Sequence, residues 1–333
     1  MSAPAVRAGT SWARLSDAIR ARPNEVQQLG LISFLALEIV VFTIITPSFF
    51  SGNNFFDIGR AVAILAIVSV GATFGLISGA IDLSVASVVA LSGTVATQLA
   101  LQGWPTPALI VMALLSGLAI GLVNGFVVVK LRVNPIVATL AMLSIARGLA
   151  FVIDGGPGAV GASRQFPDSF RILQQEIGPV PLPVILAVVV VVLGGIVLRW
   201  TRFGRYAYAV GGSPSAGRAA ALKVDRLRIG YLALSGLLAG LAGWAFASML
   251  NGVGSQVGVG LELRVFSAVI LGGVALAGGR GSMIGTVLGV LIIGVMINGL
   301  TLAGVPIFWQ LMGQGLVLLA AVALDALRTG GYR

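Results

Sequence analysis

The sequence predicts an all-α polytopic membrane protein of about ten transmembrane helices, built as an inverted pseudo-repeat of two helix groups. Three observations carry that reading. The first is apolarity: 57% of the 333 residues are hydrophobic and 10% are charged, with a mean hydropathy of +1.03. Soluble chains run at about 25% charged and 45–50% apolar residues, so a soluble fold has no place for this composition. The second is the length of the apolar runs, close to the roughly 20 residues that cross a hydrocarbon core as a helix. The third is a sequence echo between two halves of the chain. The 46 glycines agree with all three, because Gly is more frequent in membrane helices than in soluble ones.

The spans follow in order. The first runs over 29–46 and ends at Thr46-Pro47. From Ala61 to Leu101 the only charged residue is Asp82, and a stretch about twice one span long divides around it into 58–79 and 83–101. Spans at 107–129, closed by Lys130 and Arg132, and at 135–153, opened by Pro135, come next. A polar stretch, 154–180, interrupts the pattern. The remaining spans read as 181–198, 230–250, 263–279, 283–301 and 307–325.

An even number of spans puts both ends on one side, and the distribution of basic residues chooses the side. With a cytoplasmic N-terminus, the inner segments are 1–28, 80–82, 130–134, 199–229, 280–282 and 326–333, and they hold 16 of the 21 Lys and Arg. The outer segments hold four, Arg60, Arg164, Arg171 and Arg264, and Arg147 falls within a span. The net charge of +10 therefore reads as a topology signal and not as a nucleic-acid footprint. The domains are then a cytoplasmic segment 1–28, a membrane domain 29–325 and a cytoplasmic tail 326–333. Residues 1–28 lack the apolar core of a signal peptide. With no His and no Cys, thiolate, disulfide, zinc and imidazole chemistry are all excluded.

The echo lies between Asp82-Leu83-Ser84-Val85 through Gly93 and Glu262-Leu263-Arg264-Val265 through Gly273, which align without gaps. A second match pairs Asn124-Gly125 with Asn298-Gly299, each followed by a proline, Pro135 or Pro306. The offsets of 180 and 174 make 58–153 and 230–325 the two copies. Five spans separate their starts, so the copies have opposite orientation, a pattern found in transporters that expose a central site to either face in turn.

Between the copies, the loop 199–229 carries seven of the basic residues. Ser213 suits an N-cap and Pro214 the first helical position. The run Ala216–Leu222 is expected to continue as a short helix, with Lys223 near its C-terminus. Such a helix suits contact with a cytoplasmic partner; a basic loop resting on anionic lipid is the other reading.

Three segments carry a resemblance to a known family: Gly79-Ala80-Ile81-Asp82-Leu83-Ser84-Val85; Thr201-Arg202-Phe203-Gly204-Arg205 through Gly211-Gly212-Ser213 and Ala216; and Leu271-Gly272-Gly273 to Gly278-Gly279-Arg280-Gly281-Ser282. They resemble bacterial ABC-importer permeases of the monosaccharide type (ribose, xylose, arabinose, galactose), related more distantly to branched-chain amino acid permeases. The similarity covers roughly 40–325. It implies a type II importer-like fold in the bacterial inner membrane. It also implies two permease subunits, alike or paralogous, two ATPase subunits that bind ATP and Mg, and an extracytoplasmic binding protein that delivers a sugar. The permease itself would hold no cofactor and catalyse nothing. The resemblance further implies that 211–223 is the coupling helix, so Arg205, Gly211, Gly212, Ser213, Pro214, Ala216, Arg218 and Ala219 are the candidate ATPase contacts.

Other residues are candidates in their own right. An acid within a membrane stretch is a functional hypothesis by default, yet Asp82 immediately precedes an apolar helix, where a carboxylate also serves as a cap. Asn124 and Asn298 either hydrogen-bond between helices or line the path. Arg147 snorkels, pairs with Asp154, or lines the path. Glu262 and Arg264 are candidates for docking the binding protein. The excursion 154–180, with Gly155, Gly156, Pro157, Pro167 and Pro179, either helps that docking or is a solvated loop. The run Gly278–Ser282 lacks phosphate-loop spacing and reads as a tight turn, and neither Lys130 nor Lys223 follows a glycine. The chain is therefore not the ATPase. The sequence favours a sugar-importing permease subunit. The alternatives are a permease for another small polar solute (branched-chain amino acid, nucleoside or polyol) and an ion-coupled transporter, which would want more buried acids than Asp82 and Glu38.

Overall fold

The computed structural model describes residues 23–155 and 166–329. The N-terminal Arg7, Arg14, Arg20 and Arg22, the loop residues Gly156, Pro157 and Arg164, and the last residues 330–333 lie outside the described residues. Twelve α-helices are described: α1 (Pro23–Ile45), α2 (Gly52–Ile77), α3 (Val85–Leu101), α4 (Thr106–Lys130), α5 (Pro135–Asp154), α6 (Leu182–Trp200), α7 (Arg202–Gly212), α8 (Pro214–Ala219), α9 (Val224–Met249), α10 (Leu261–Leu271), α11 (Met283–Leu302) and α12 (Ile307–Thr329). Seven of them, α1, α2, α4, α5, α6, α9 and α11, are long and apolar enough to cross a membrane. With α3, α10 and α12 they make the all-α polytopic bundle that the composition calls for. Several helices begin where a side chain accepts a free N–H group of the first turn. Ser51 accepts from Asn54, Asn134 from Ile136 and Ser282 from Gly285.

Burial sorts the helices into two groups. α2 is buried along most of its length and α9 along half of it. α1, α4, α5 and α6 turn rows of large apolar side chains outward, among them Leu37, Leu122, Val152 and Leu193. Water would penalise those rows; lipid does not, and the outer ring of the bundle is therefore its lipid-facing ring.

The packing repeats. α3 packs on α4 and α5, and α10 packs in the same way on α11 and α12. The leading helix of each group inserts into the other group: α9 against α3 and α4, and α2 against α10 and α11. The matched helices α2 and α9 are 26 residues each and cross antiparallel, Gly71 lying at Ser235 and Phe74 stacking on Tyr231. Glycines allow close approach between α4 and α9. There Gly117 faces Gly236 and Gly240, Gly121 faces Leu232, and Gly125 faces Ile229, so a methyl group at Gly117 or Gly121 would strike backbone and one at Gly125 would crowd Ile229.

Three expectations are corrected. The expected span 263–279 is an 11-residue helix, α10, about 16 Å long at the helical rise. Gly272-Gly273 ends it, with Gly273 at φ +92°, and the turn that follows places Gly278, Gly279 and Gly281 at positive φ as well. A helix of half the bilayer thickness is tolerated because protein, not lipid, surrounds its non-helical continuation. α9 begins at Val224, six residues before the expected start, with Lys223 as its N-cap and not at the end of the preceding helix. The excursion after α5 is not merely solvated in its described part. Phe166 and Phe170 are buried, a 3-10 turn spans Ile172–Gln174, and β1 (Glu176–Ile177) pairs antiparallel with β2 (Val180–Pro181). Ser248 of α9 fastens it, donating to the Phe170 carbonyl at 2.6 Å and accepting the Leu173 N–H at 3.1 Å.

Candidate functional site

The helices α7 and α8 form one arm at the end of the bundle reached by the C-termini of α2 and α6. Thr201 opens α7, its hydroxyl accepting from Gly204 N at 3.2 Å. Ser213 closes α7 and opens α8: its backbone is extended, and its hydroxyl accepts from Ala216 N at 3.2 Å while Pro214 takes the first helical position. The short helix stops at Ala219, earlier than the expected Leu222. Ala221 turns left-handed at φ +59°, so that Leu222 N reaches the Gly217 carbonyl and Ala221 N the Arg218 carbonyl, both at 3.0 Å. That paired closure satisfies the last carbonyls of the helix.

Of the expected ATPase contacts, Arg205, Gly212, Ala216, Arg218 and Ala219 are exposed, and Ser213 and Pro214 are half-buried. Gly211 faces inward, where a methyl group would overlap the Ile77 carbonyl at the end of α2. Arg218 lies 3.6 Å from Asp225 with both side chains largely exposed, a pairing worth little in water. Tyr208, on the inner face of α7, donates to the Gly281 carbonyl at 2.9 Å. Burial pushes its phenol above the ordinary value, so it is a neutral donor at any pH near 7.

Asp82 lies in the link between α2 and α3 and is 2% exposed. Four donors converge on its carboxylate. Ser84 N at 3.0 Å, the Ser84 hydroxyl at 2.6 Å and Asn124 Nδ2 at 3.3 Å reach one oxygen, and the Ser235 hydroxyl at 2.8 Å reaches the other. Asn124 also donates to the Ser84 hydroxyl at 2.9 Å. Ser84 occupies the N-cap position of α3 but makes no side-chain capping bond; the Asp82 carboxylate accepts its N–H and its hydroxyl. A buried carboxylate is tolerable where hydrogen bonds replace its hydration, as they do here. The node joins three elements, the α2–α3 link, α4 and α9, and so ties the two helix groups together.

At the opposite end, Asn298 of α11 and Asn54 of α2 exchange amide hydrogen bonds at 2.9 and 3.1 Å. Asn124 and Asn298 match in sequence but lie at opposite ends, as inverted copies require. Arg147 does not turn to Asp154. Its guanidinium donates to the Ser255 and Val257 carbonyls at 2.6 and 2.8 Å, while Asp154 accepts the Ser255 N–H and hydroxyl, each at 2.8 Å. Both α5 residues therefore grip the link 250–260 that precedes α10. The reason is chemical: that link is rich in glycine and offers free backbone groups, which an arginine fork and a carboxylate satisfy from either side. Glu262 stands within electrostatic reach of both Arg147 and Arg264, and Arg264 donates to Gln314 of α12 at 3.3 Å. The structure thus places Glu262 where its charge acts on both Arg147 and Arg264, although the sequence suggested separate roles for them.

Sequence reasoning passes over Tyr208, Asn54, Ser235, Ser255 and Gln314. Gln310 and Gln314, four apart in an apolar span, carried a legible signal; a lone serine in a glycine-rich helix carries none. Among the described residues no three acidic side chains come together to hold a metal.

Comparison with known proteins agrees with this architecture. Residues 54–322 match the family described as the branched-chain amino acid transport system / permease component. The chain is similar to the ribose import permease protein of Escherichia coli (strain K12), 38% identical over 304 residues, covering 90% of this chain and 94% of that protein. It is 36% identical over 300 residues to the ribose import permease protein of Bacillus subtilis (strain 168), covering 90% and 93%. It is also 35% identical over 308 residues to the L-arabinose ABC transporter permease protein of Azospirillum brasilense, covering 92% and 90%. Matched over most of its length by that family, and folded as a polytopic bundle, the chain belongs to the branched-chain amino acid transport system / permease component family, as a transport subunit and not an enzyme.

Proposed function

We propose that this chain is the membrane permease of an ATP-driven importer through which a simple sugar, handed over by an extracytoplasmic binding protein, crosses the bacterial inner membrane. The observation that carries the reading is the likeness, over nine-tenths of the chain, to permeases named for ribose and L-arabinose. A second permease subunit completes the path, and paired ATPase subunits bind ATP and Mg; this chain holds no cofactor. Both termini face the cytoplasm, as the excess of basic residues at the α7–α8 end supports. That places the arm 199–229 on the ATPase side, and the exposed Arg205, Gly212, Ala216, Arg218 and Ala219 are its contacts.

Inverted groups that pack into each other favour alternating access, each group rocking against the other around a path between them. Asp82 and Asn124 spend their hydrogen bonds on the node between the groups, which favours a role in holding the hinge over direct contact with sugar. Arg147, Glu262 and Arg264, at the outer end, are the charged side chains we assign to contact with the sugar or its binding protein. The test is reconstitution in liposomes with the ATPase and binding protein. Uptake of a pentose should require both partners and ATP. Uptake driven by an ion gradient without the ATPase would overturn the reading, and uptake of leucine but no sugar would reassign the substrate.

A further inference from the structure

We infer that the sugar passes between α3 and α10 of this chain, hydrogen-bonding to the Ser87 and Ser267 hydroxyls on its way. The inference rests on the sugar-importer reading above and names the contacts its solute uses. Five polar side chains on α2, α3, α9 and α10 are buried with an O or N–H group that makes no hydrogen bond among the described residues. They are Ser69 of α2, Ser87 and Thr94 of α3, Trp244 of α9 and Ser267 of α10. On the same helices Thr73, Ser92, Thr97, Ser235 and Ser248 all have partners. A serine or threonine in a helix readily donates to the carbonyl four residues back, as Thr73 and Thr97 do. A buried hydroxyl without even that bond destabilises the fold, and a bound solute relieves it.

Ser87 and Ser267 are also the one hydroxyl that the aligned segments 82–93 and 262–273 share, so each copy of the repeat presents it at the same place. The two helices start close together inside the protein. Gly258, three residues ahead of α10, lies on the first turn of α3, where a Cβ would stand 3.5 Å from the Ala86 carbonyl oxygen. Transporters built from inverted copies hold their solutes where such interrupted helices begin. The other unpartnered groups extend the row to either side. Thr94 and Trp244 each follow a glycine of the close pair Gly93 and Gly243. Ser69 lies one turn from Thr73, which bonds Thr286 of α11 at 2.8 Å. Ser267 precedes Ala268, whose carbonyl abuts Gly289, about one turn further along α11. All five groups are neutral. A hydroxyl both donates and accepts, which matches the hydroxyls of a sugar; the ammonium and carboxylate of an amino acid would find no counter-charge among them. Both serines are fully buried, so the row is shut in this conformation and opens as one helix group rocks against the other.

The test measures Ser87→Ala and Ser267→Ala in the reconstituted complex. Ser92→Ala is the control from the same helix as Ser87, since the Ser92 hydroxyl is already engaged with Ser116 at 2.8 Å. The readouts are pentose uptake at saturating ATP and the thermal midpoint of each purified permease. Uptake should fall about fivefold in Ser87→Ala and in Ser267→Ala, the shift that losing one neutral hydrogen bond to the solute produces. Their midpoints should hold or rise, because an unpartnered buried hydroxyl contributes nothing to the fold, and Ser92→Ala should keep the wild-type uptake. Uptake at the wild-type rate in either Ser87→Ala or Ser267→Ala overturns the inference and leaves the transport reading intact. So does a lowered midpoint in either, which would make the hydroxyl structural, and so does an equal loss of uptake in Ser92→Ala. Wild-type complex that imports no pentose with ATP overturns the transport reading itself, and this inference with it.

Discussion

At the scale of single residues, the chain's polar side chains hold backbone more often than they hold each other. Arg147 and Asp154 both close on the 250–260 link, and Asp82 organises the start of α3 through Ser84. Removing the Asp82 carboxylate strands two hydroxyls, an amide and a backbone N–H away from water. Asp82→Ala should therefore destabilise by about 2 kcal/mol, and Asp82→Asn by less, because an amide oxygen still accepts. Thermal unfolding of the detergent-purified protein checks the order; equal midpoints for wild type and Asp82→Ala would remove the node from the account. The sequence already marked Asp82 and Asn124 as exceptional, because each stands in an otherwise apolar stretch. It could not pair them with Ser235, which is 153 residues from Asp82 and looks like any serine in a membrane helix.

At the scale of elements, helix positions were readable and helix lengths less so. Hydropathy located every apolar run, since the cost of leaving it in water is a local sum. It overran at α10, where the residues after Leu271 remain apolar but their glycines adopt left-handed backbone. Packing between elements makes its own prediction. A methyl at Gly117 would overlap the Gly236 carbonyl, whereas Gly148 on the outer face of α5 has nothing within 4 Å. Gly117→Ala should cost about 1–3 kcal/mol by forcing α4 from α9. Gly148→Ala should be neutral or stabilising by up to about 1 kcal/mol, since alanine loses less entropy in a helix. The same thermal assay separates the two, and equal losses would mean that the α4–α9 contact is not the tight one.

At the scale of the whole molecule, orientation is the property to test, and the absence of native cysteine makes the test simple. In intact cells a membrane-impermeant maleimide should label Gln175→Cys, in the segment before β1, and spare Arg132→Cys, beyond the end of α4, until the membrane is opened. The reverse pattern would invert the topology and move α7 and α8 away from any cytoplasmic ATPase. By itself the sequence determined membrane residence, the approximate positions of the apolar helices and the two matched groups, because these follow from local sums of hydropathy and from repeated motifs. Only the tertiary structure decided that α10 is cut short, that Arg147 and Asp154 hold a loop instead of each other, and that α7 bridges both groups. Those outcomes depend on hydrogen bonds between residues 101 and 108 positions apart and on backbone approaches that only a folded neighbour reveals.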